Sequence, residues 1–161
     1  MSTLDRMLQG LTASAGWGQG AIAFNEQGVA SFDVDGQLVM QLERVRDDRA
    51  LQLYAGVGLV PAMHREALYR QALEANLFGG ETRDSVLSID PDSNELMLSQ
   101  LVQPSVVSDH DFVALLDDFI EVALRWQERL KAIRWQLPTS DTRDESTPSS
   151  ASSLHLNPPF I

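Results

Sequence analysis

Residues Glu66–Thr82, EALYRQALEANLFGGET, read as a helix that stops at two glycines. Helical spacing brings Leu68, Ala72, Ala75 and Leu77 near one another. Pro61 is predicted to open this helix, because a first helical residue has no intrahelical N–H bond to lose. Gly79 is the expected residue just past its end, free to take a positive φ without a Cβ penalty. Strand-like segments lie on both sides of this helix, and that placement decides the fold class.

Upstream, Ala21–Asn25 and Val29–Val34 are expected strands flanking the turn NEQG. Asp35-Gly36 is a two-residue hairpin signal. After it Leu38, Met40 and Leu42 alternate with Gln37, Gln41 and Glu43, which makes one sheet face apolar. RVRDDRA is a charged turn, and Leu51, Leu53, Ala55 and Val57 alternate again. Downstream, Ser85–Ile89 and Leu96–Val102 are expected strands around DPDSN. At the front, Ser2 with Asp5 forms a capping-box pattern, followed by Leu4, Met7, Leu8 and Leu11 on one helical face. That first helix should end before GWGQG (16–20). From Asp109 to about Leu137, the residues Phe112, Leu115, Leu116, Phe119, Val122, Ala123, Trp126, Leu130 and Ile133 form one long apolar stripe. The order is helix, three or four strands, helix, two strands, helix. Hairpins dominate it, so the fold class is α+β: a mostly antiparallel, twisted sheet with three helices on one face.

The chain has 161 residues, 43% of them hydrophobic, enough for one domain with a real core. Residues 1–137 are assigned to that domain. Residues 138–161, a Ser/Thr-rich tail, bury too little apolar area to offset their ordering entropy and are expected to be disordered. There is no cysteine, which excludes disulfides and thiolate chemistry. The net charge of −11 repels phosphate backbones, so nucleic acid is not an expected partner. No basic stretch followed by an apolar one suggests a Sec-type leader. No apolar run approaches the roughly 20 residues of a membrane span, so membrane insertion is not expected.

Chemical motifs are scarce. GWGQG lacks dinucleotide-fingerprint spacing and lies between a helix and a strand, the reverse of what a pyrophosphate needs. DPDSNE places Asp90, Asp92 and Asn94 at calcium-loop positions, but Glu95 and Leu101 stand where glycine and a bidentate glutamate belong. His64 beside Glu66, and His110 between Asp109 and Asp111, could serve acid–base work, while surface or capping roles suit them better. His155 lies in the tail, and no pair of histidines has metal-ligand spacing. No catalytic, cofactor-binding or metal-binding residue is therefore assigned, and the reading favours a binding module over an enzyme. Val39, Tyr54 and Met97, apolar residues off the core face, are candidate contacts for a partner, as are exposed positions of the first helix.

The segments AFNEQGVASFDVDG (23–36), LVMQLE (38–43), LQLYAGVGLVP (51–61), REALYRQALEANLFGGET (65–82), LSIDPDSNELMLSQLV (87–102) and DFVALLDDFIEVALRWQERL (111–130) are carried in a particular order. That order resembles the CesT/Tir-type (class I) chaperones of bacterial type III secretion, over about residues 2–135. The Gly-rich connection at 16–20 and the long tail depart from a typical member. The resemblance implies a cytoplasmic bacterial homodimer with its middle helix at the interface, and Leu68, Leu73, Leu77 and Phe78 as candidate interface residues. It implies an effector's N-terminal segment held in extended form, for which the patterning of the strands offers Val39, Tyr54 and Met97 as candidate contacts. No cofactor is implied, and the secretion ATPase is a further candidate partner. An anti-activator of the same fold and, more remotely, a small hydrolase-type enzyme are the alternatives.

Overall fold

The computed structural model describes residues 2–18 and 20–135; the expected tail at 138–161, with His155, lies outside the described residues. The described residues form helix α1 (Thr3–Ser14), strands β1 (Val29–Val34), β2 (Leu38–Val45) and β3 (Ala50–Leu59), helix α2 (Arg65–Asn76), strands β4 (Val86–Asp90) and β5 (Glu95–Val102), and helix α3 (Asp109–Arg134). The strands make one fully antiparallel sheet in the order β1-β2-β3-β5-β4. This is the α+β arrangement that the hairpin signals predict.

Alternation along the strands separates two faces. Leu38, Met40, Leu42, Leu51, Leu53, Ala55, Leu87, Leu96 and Leu98 are buried on the inner face. α3 lies across β2 and β3, α1 packs on α3, and α2 packs beside β4 and α3. Phe112, Leu116, Phe119, Val122, Ala123, Trp126, Leu130 and Ile133 are the buried stripe of α3, with Leu115 half-buried. Each fully buried large apolar side chain contributes roughly 1.5–3 kcal/mol. Gly58 allows the close approach of α3: a Cβ there would lie 2.9 Å from Leu130 Cδ2. α3 starts at Ser108, whose hydroxyl accepts from the Asp111 N–H at 3.1 Å. Asp109 and Asp111 in its first turn, with Lys131 and Arg134 in its last, complement the helix dipole.

At α1 the capping box is present in full. Ser2 Oγ accepts from the Asp5 N–H, and the Ser2 N–H donates to Asp5 Oδ2. Asp5 also pairs with Arg44 of β2. The Arg44 guanidinium lies 4.0 Å above the Phe24 ring, so one side chain ties α1, the 20–28 segment and the sheet together. The β1–β2 turn has positive φ at both Asp35 (52°) and Gly36 (68°), as the hairpin signal requires.

Some expectations need correction. Ala21–Asn25 is not a strand. Asn25 Oδ1 accepts from the Val29 N–H (2.9 Å) and the Gln27 N–H (3.0 Å), so a side chain takes the place a hairpin partner would fill. Helix α2 opens at Arg65, not Pro61, because His64 at its N-cap is left-handed with φ 62° and breaks the helical path. Leu77 leaves the helix in an extended conformation and is exposed, so it does not join Leu68, Ala72 and Ala75. Gly79 does have a positive φ (66°), but the residue directly past the cap is Phe78, itself left-handed.

The edge of β4 is held by a side chain. The Leu87 N–H donates to Asn76 Oδ1 at 2.8 Å, and Asn76 Nδ2 donates to the Leu87 carbonyl at 3.0 Å. Asn76→Ala removes both bonds and should cost about 1–3 kcal/mol in urea unfolding; an unchanged midpoint would show the clamp to be idle.

Asp5 offers a pH test. The Ser2 backbone N–H and then its hydroxyl hold the Asp5 carboxyl below the usual range; partial burial opposes them and the Arg44 charge assists them. A lowered folded pKa means that the ionised form favours the folded state. That stability is fully present above the unfolded value near 3.8 and is lost as pH falls through the folded one. The stability difference between wild type and Asp5→Asn should therefore be steady at neutral pH and shrink below about pH 4. A difference that stays constant down to strong acid would refute the linkage.

Candidate partner-binding surfaces

The first surface is built at the C-terminal end of α2. The face that carries Leu68, Ala72 and Ala75 enters the core, and the opposite face carries Tyr69 and Leu73. Leu73 is 71% exposed and Phe78 is 94% exposed, with Leu77 between them also open. Phe78 has φ 56°, an uncommon conformation for a bulky residue, and its ring meets almost nothing of its own chain. The segment after it is fixed from α3. Arg83 pairs with Asp118 and Glu121, and Arg129 donates to Glu81 at 2.5 Å. Thr82 is buried between them. Of the expected interface residues, Leu73, Leu77 and Phe78 share this patch. Leu68 does not: it is 0% exposed and belongs to the protomer's own core. Spacing groups Leu68 with Ala72 and Ala75, and that is the side the structure buries.

The second surface is the outer face of the sheet. Val39 is 53% exposed, whereas Tyr54 and Met97 are half-buried. Tyr54 lies opposite Gln41 on one side and Ser99 on the other, and Met97 lies opposite Gly56 and Ser88. Tyr54 and Met97 are thus diagonal neighbours, with Val39 one residue pair from Gln41 on β2. Burial first, then the Glu43 charge and its hydrogen bond, push the Tyr54 phenol pKa up. The phenol remains a donor. This face is mixed polar and apolar.

The third surface escapes sequence reading. A groove of about 370 Å³ runs between the β1 edge and α3. Leu11, Trp17, Phe32, Val113 and Ile120 supply its apolar walls, and Asp33, Asp35 and Asp117 its rim. β1 has a strand partner on one side only. A second groove of about 790 Å³ follows α1 past Leu8, Thr12, Trp17, Ile22 and Phe24. The glycine-rich stretch reads as a mere connection, and the one signal to the contrary is the tryptophan inside it.

Among the described residues the three-residue clusters of His, Cys, Asp or Glu that would hold a metal are absent. His64 occupies the N-cap position of α2 without a side-chain capping bond, and His110 lies exposed in the first turn of α3. The Asp90 carboxylate accepts from the Asp92 N–H and the Ser93 hydroxyl within its own turn. Among the described residues no helix is long and apolar enough to cross a membrane.

Residues 6–127 match the Tir chaperone protein (CesT) family. A Chlamydia pneumoniae protein is 31% identical over 102 residues, which span 58% of this chain and 77% of that protein. Among solved structures, the ExsC–ExsE complex superposes with a TM-score of 0.67 at 21% identity, covering 81% of this chain and 97% of that one. The HopA1–SchA chaperone–effector complex superposes with a TM-score of 0.63 at 17% identity, covering 81% and 94%. The antiparallel sheet with its three helices is thus the fold of type III secretion chaperones, and the match across residues 6–127 shows that the chain belongs to the Tir chaperone protein (CesT) family.

Proposed function

We propose that this protein is a type III secretion chaperone that acts in the bacterial cytoplasm as a homodimer. It binds the N-terminal region of an effector in extended form and keeps it soluble and competent for export. The family match over residues 6–127 carries the reading. The solved relative described as a chaperone–effector complex supports it. So does the apolar surface that the protomer leaves open in two separate places.

The two places suit two partners. Leu73, Leu77 and Phe78, with Tyr69 beside them, form a compact patch of the kind a second copy covers by two-fold symmetry. The outer sheet face with Val39, Tyr54 and Met97, and the free β1 edge, suit an extended segment. Main-chain pairing gives such a segment affinity, and pockets for alternate side chains give it specificity. Ordering it costs on the order of 1–2 kcal/mol per residue, so a long wrap is required. The activity is binding alone, without catalysis or a cofactor, and the secretion ATPase would be met only at delivery.

Leu73 is exposed in the protomer, so Leu73→Asp tests the interface and spares the core. Light scattering after size exclusion should give twice the 17.8 kDa chain mass for wild type and a folded species of single mass for the variant. A wild-type monomer across micromolar concentrations refutes the dimer.

The tagged full chain should recover one dominant partner from the host cytoplasm in EDTA. Limited proteolysis should protect about 50–100 residues near that partner's N-terminus. Recovery of folded proteins or small molecules alone overturns the chaperone reading.

A further inference from the structure

The connection after α1 carries one aromatic residue between glycines. The main chain of Trp17 is fixed, since its N–H donates to the Thr12 carbonyl at 3.0 Å. The Gly16 N–H reaches Ala13 at 3.2 Å, with Gly16 at φ 68°. Together these are the paired closing bonds of a Schellman helix end. The indole is held less firmly. It rests on Phe32 with ring centroids 5.4 Å apart at 58°, and Trp17 remains 40% exposed. It also walls both the α1 groove and the β1–α3 groove, so it is the partition between them.

Gly18 shows what the partition requires. A Cβ there would meet nothing within 4 Å, and its φ is not in the left-handed region. Neither crowding nor backbone conformation calls for glycine. What glycine adds beside the indole is main-chain freedom.

The charge around the β1–α3 groove is one-sided. Asp33, Asp35 and Asp117 line it, and among the described residues no lysine or arginine does. A strand added to the free edge of β1 would turn alternate side chains toward the apolar floor and toward the acidic rim.

We propose that Trp17 is a displaceable partition that selects the docked segment. A partner strand alternating apolar and basic residues pairs with β1 and places an apolar side chain on Phe32 where the indole now lies. Displacing the indole joins the two grooves into one trough. This inference rests on the chaperone reading and adds the chemistry of the bound segment and the residue that controls its entry.

The test uses the full chain carrying 5-fluorotryptophan. Its three indole resonances are assigned with Trp17→Phe and Trp135→Phe. The probes are synthetic peptides of about ten residues, one alternating leucine with lysine and one alternating leucine with glutamate. The lysine peptide should move the Trp17 resonance and leave that of Trp126 in place. It should bind Trp17→Ala about tenfold more tightly than wild type, because no indole must be displaced. Trp17→Phe, which keeps a ring on Phe32, should fall between the two and keeps the test valid if the alanine variant misfolds. Gly18→Ala should leave the melting temperature unchanged and slow peptide association. The glutamate peptide should bind at least about tenfold more weakly than the lysine peptide. A static Trp17 resonance during binding overturns the proposal, as does equal or weaker binding to Trp17→Ala. Equal binding of the two peptides overturns the charge assignment, and no binding of either peptide overturns the docking chemistry. If the pull-down still recovers a native partner, those failures leave the chaperone reading intact; if the wild type recovers none, the reading itself falls.

Discussion

The contact between α3 and the inner face of β2 and β3 governs the rest of the molecule. A single sheet with one apolar face needs a cover, and the buried stripe centred on Phe112, Phe119 and Trp126 supplies it. α1 is docked on α3, the 81–84 segment is pinned to it by Arg83 and Arg129, and the β1–α3 groove uses Val113 and Ile120 as a wall. Truncating a core aromatic costs about 3–5 kcal/mol, a large part of a domain's total of about 5–15. Both binding surfaces therefore depend on this one packing layer, although none of its central residues reaches either of them.

Much of this was legible in residue order because local chemistry decides it. The Ser2–Asp5 cap, the Asp35-Gly36 turn and the 3.6-residue stripe of α3 each need only neighbours in sequence, and each forms as its pattern predicts. Misreadings arose where a side chain displaced a backbone partner. Asn25 occupies the Val29 N–H, so residues 21–25 never pair as a strand, and left-handed His64 delays α2 by four residues relative to Pro61. Long-range placement was not legible either. Spacing groups Leu68 with Ala72, Ala75 and Leu77, and only packing of α2 against β4 shows that Leu68 goes inside while Leu77 stays out. The same limit hid the groove at Trp17, whose walls come from α1, β1 and α3 together.

The surfaces also differ in shape, and shape can supply specificity. A compact patch at Leu73, Leu77 and Phe78 is followed by a segment that the salt bridges of Arg83 and Arg129 tie to α3. The outer sheet face and the β1 edge are elongated and edged by hydrogen-bonding groups. In the proposed function the compact patch is assigned to a symmetric copy and the elongated strip to an unfolded segment. The net charge of −11 disfavours nucleic acid and keeps concentrated protein apart.

The Asn76 clamp hinders one edge of the sheet. Leu87 of β4 is bound on its outer side by that side chain, much as Val29 of β1 is bound by Asn25, and neither strand has a further strand beyond it. Head-to-tail stacking of one copy's β4 on the next copy's β1 would require Asn76 to withdraw from Leu87. A side chain that occupies an edge strand thus opposes self-association of the sheet, the hazard by which an exposed edge can seed a fibre.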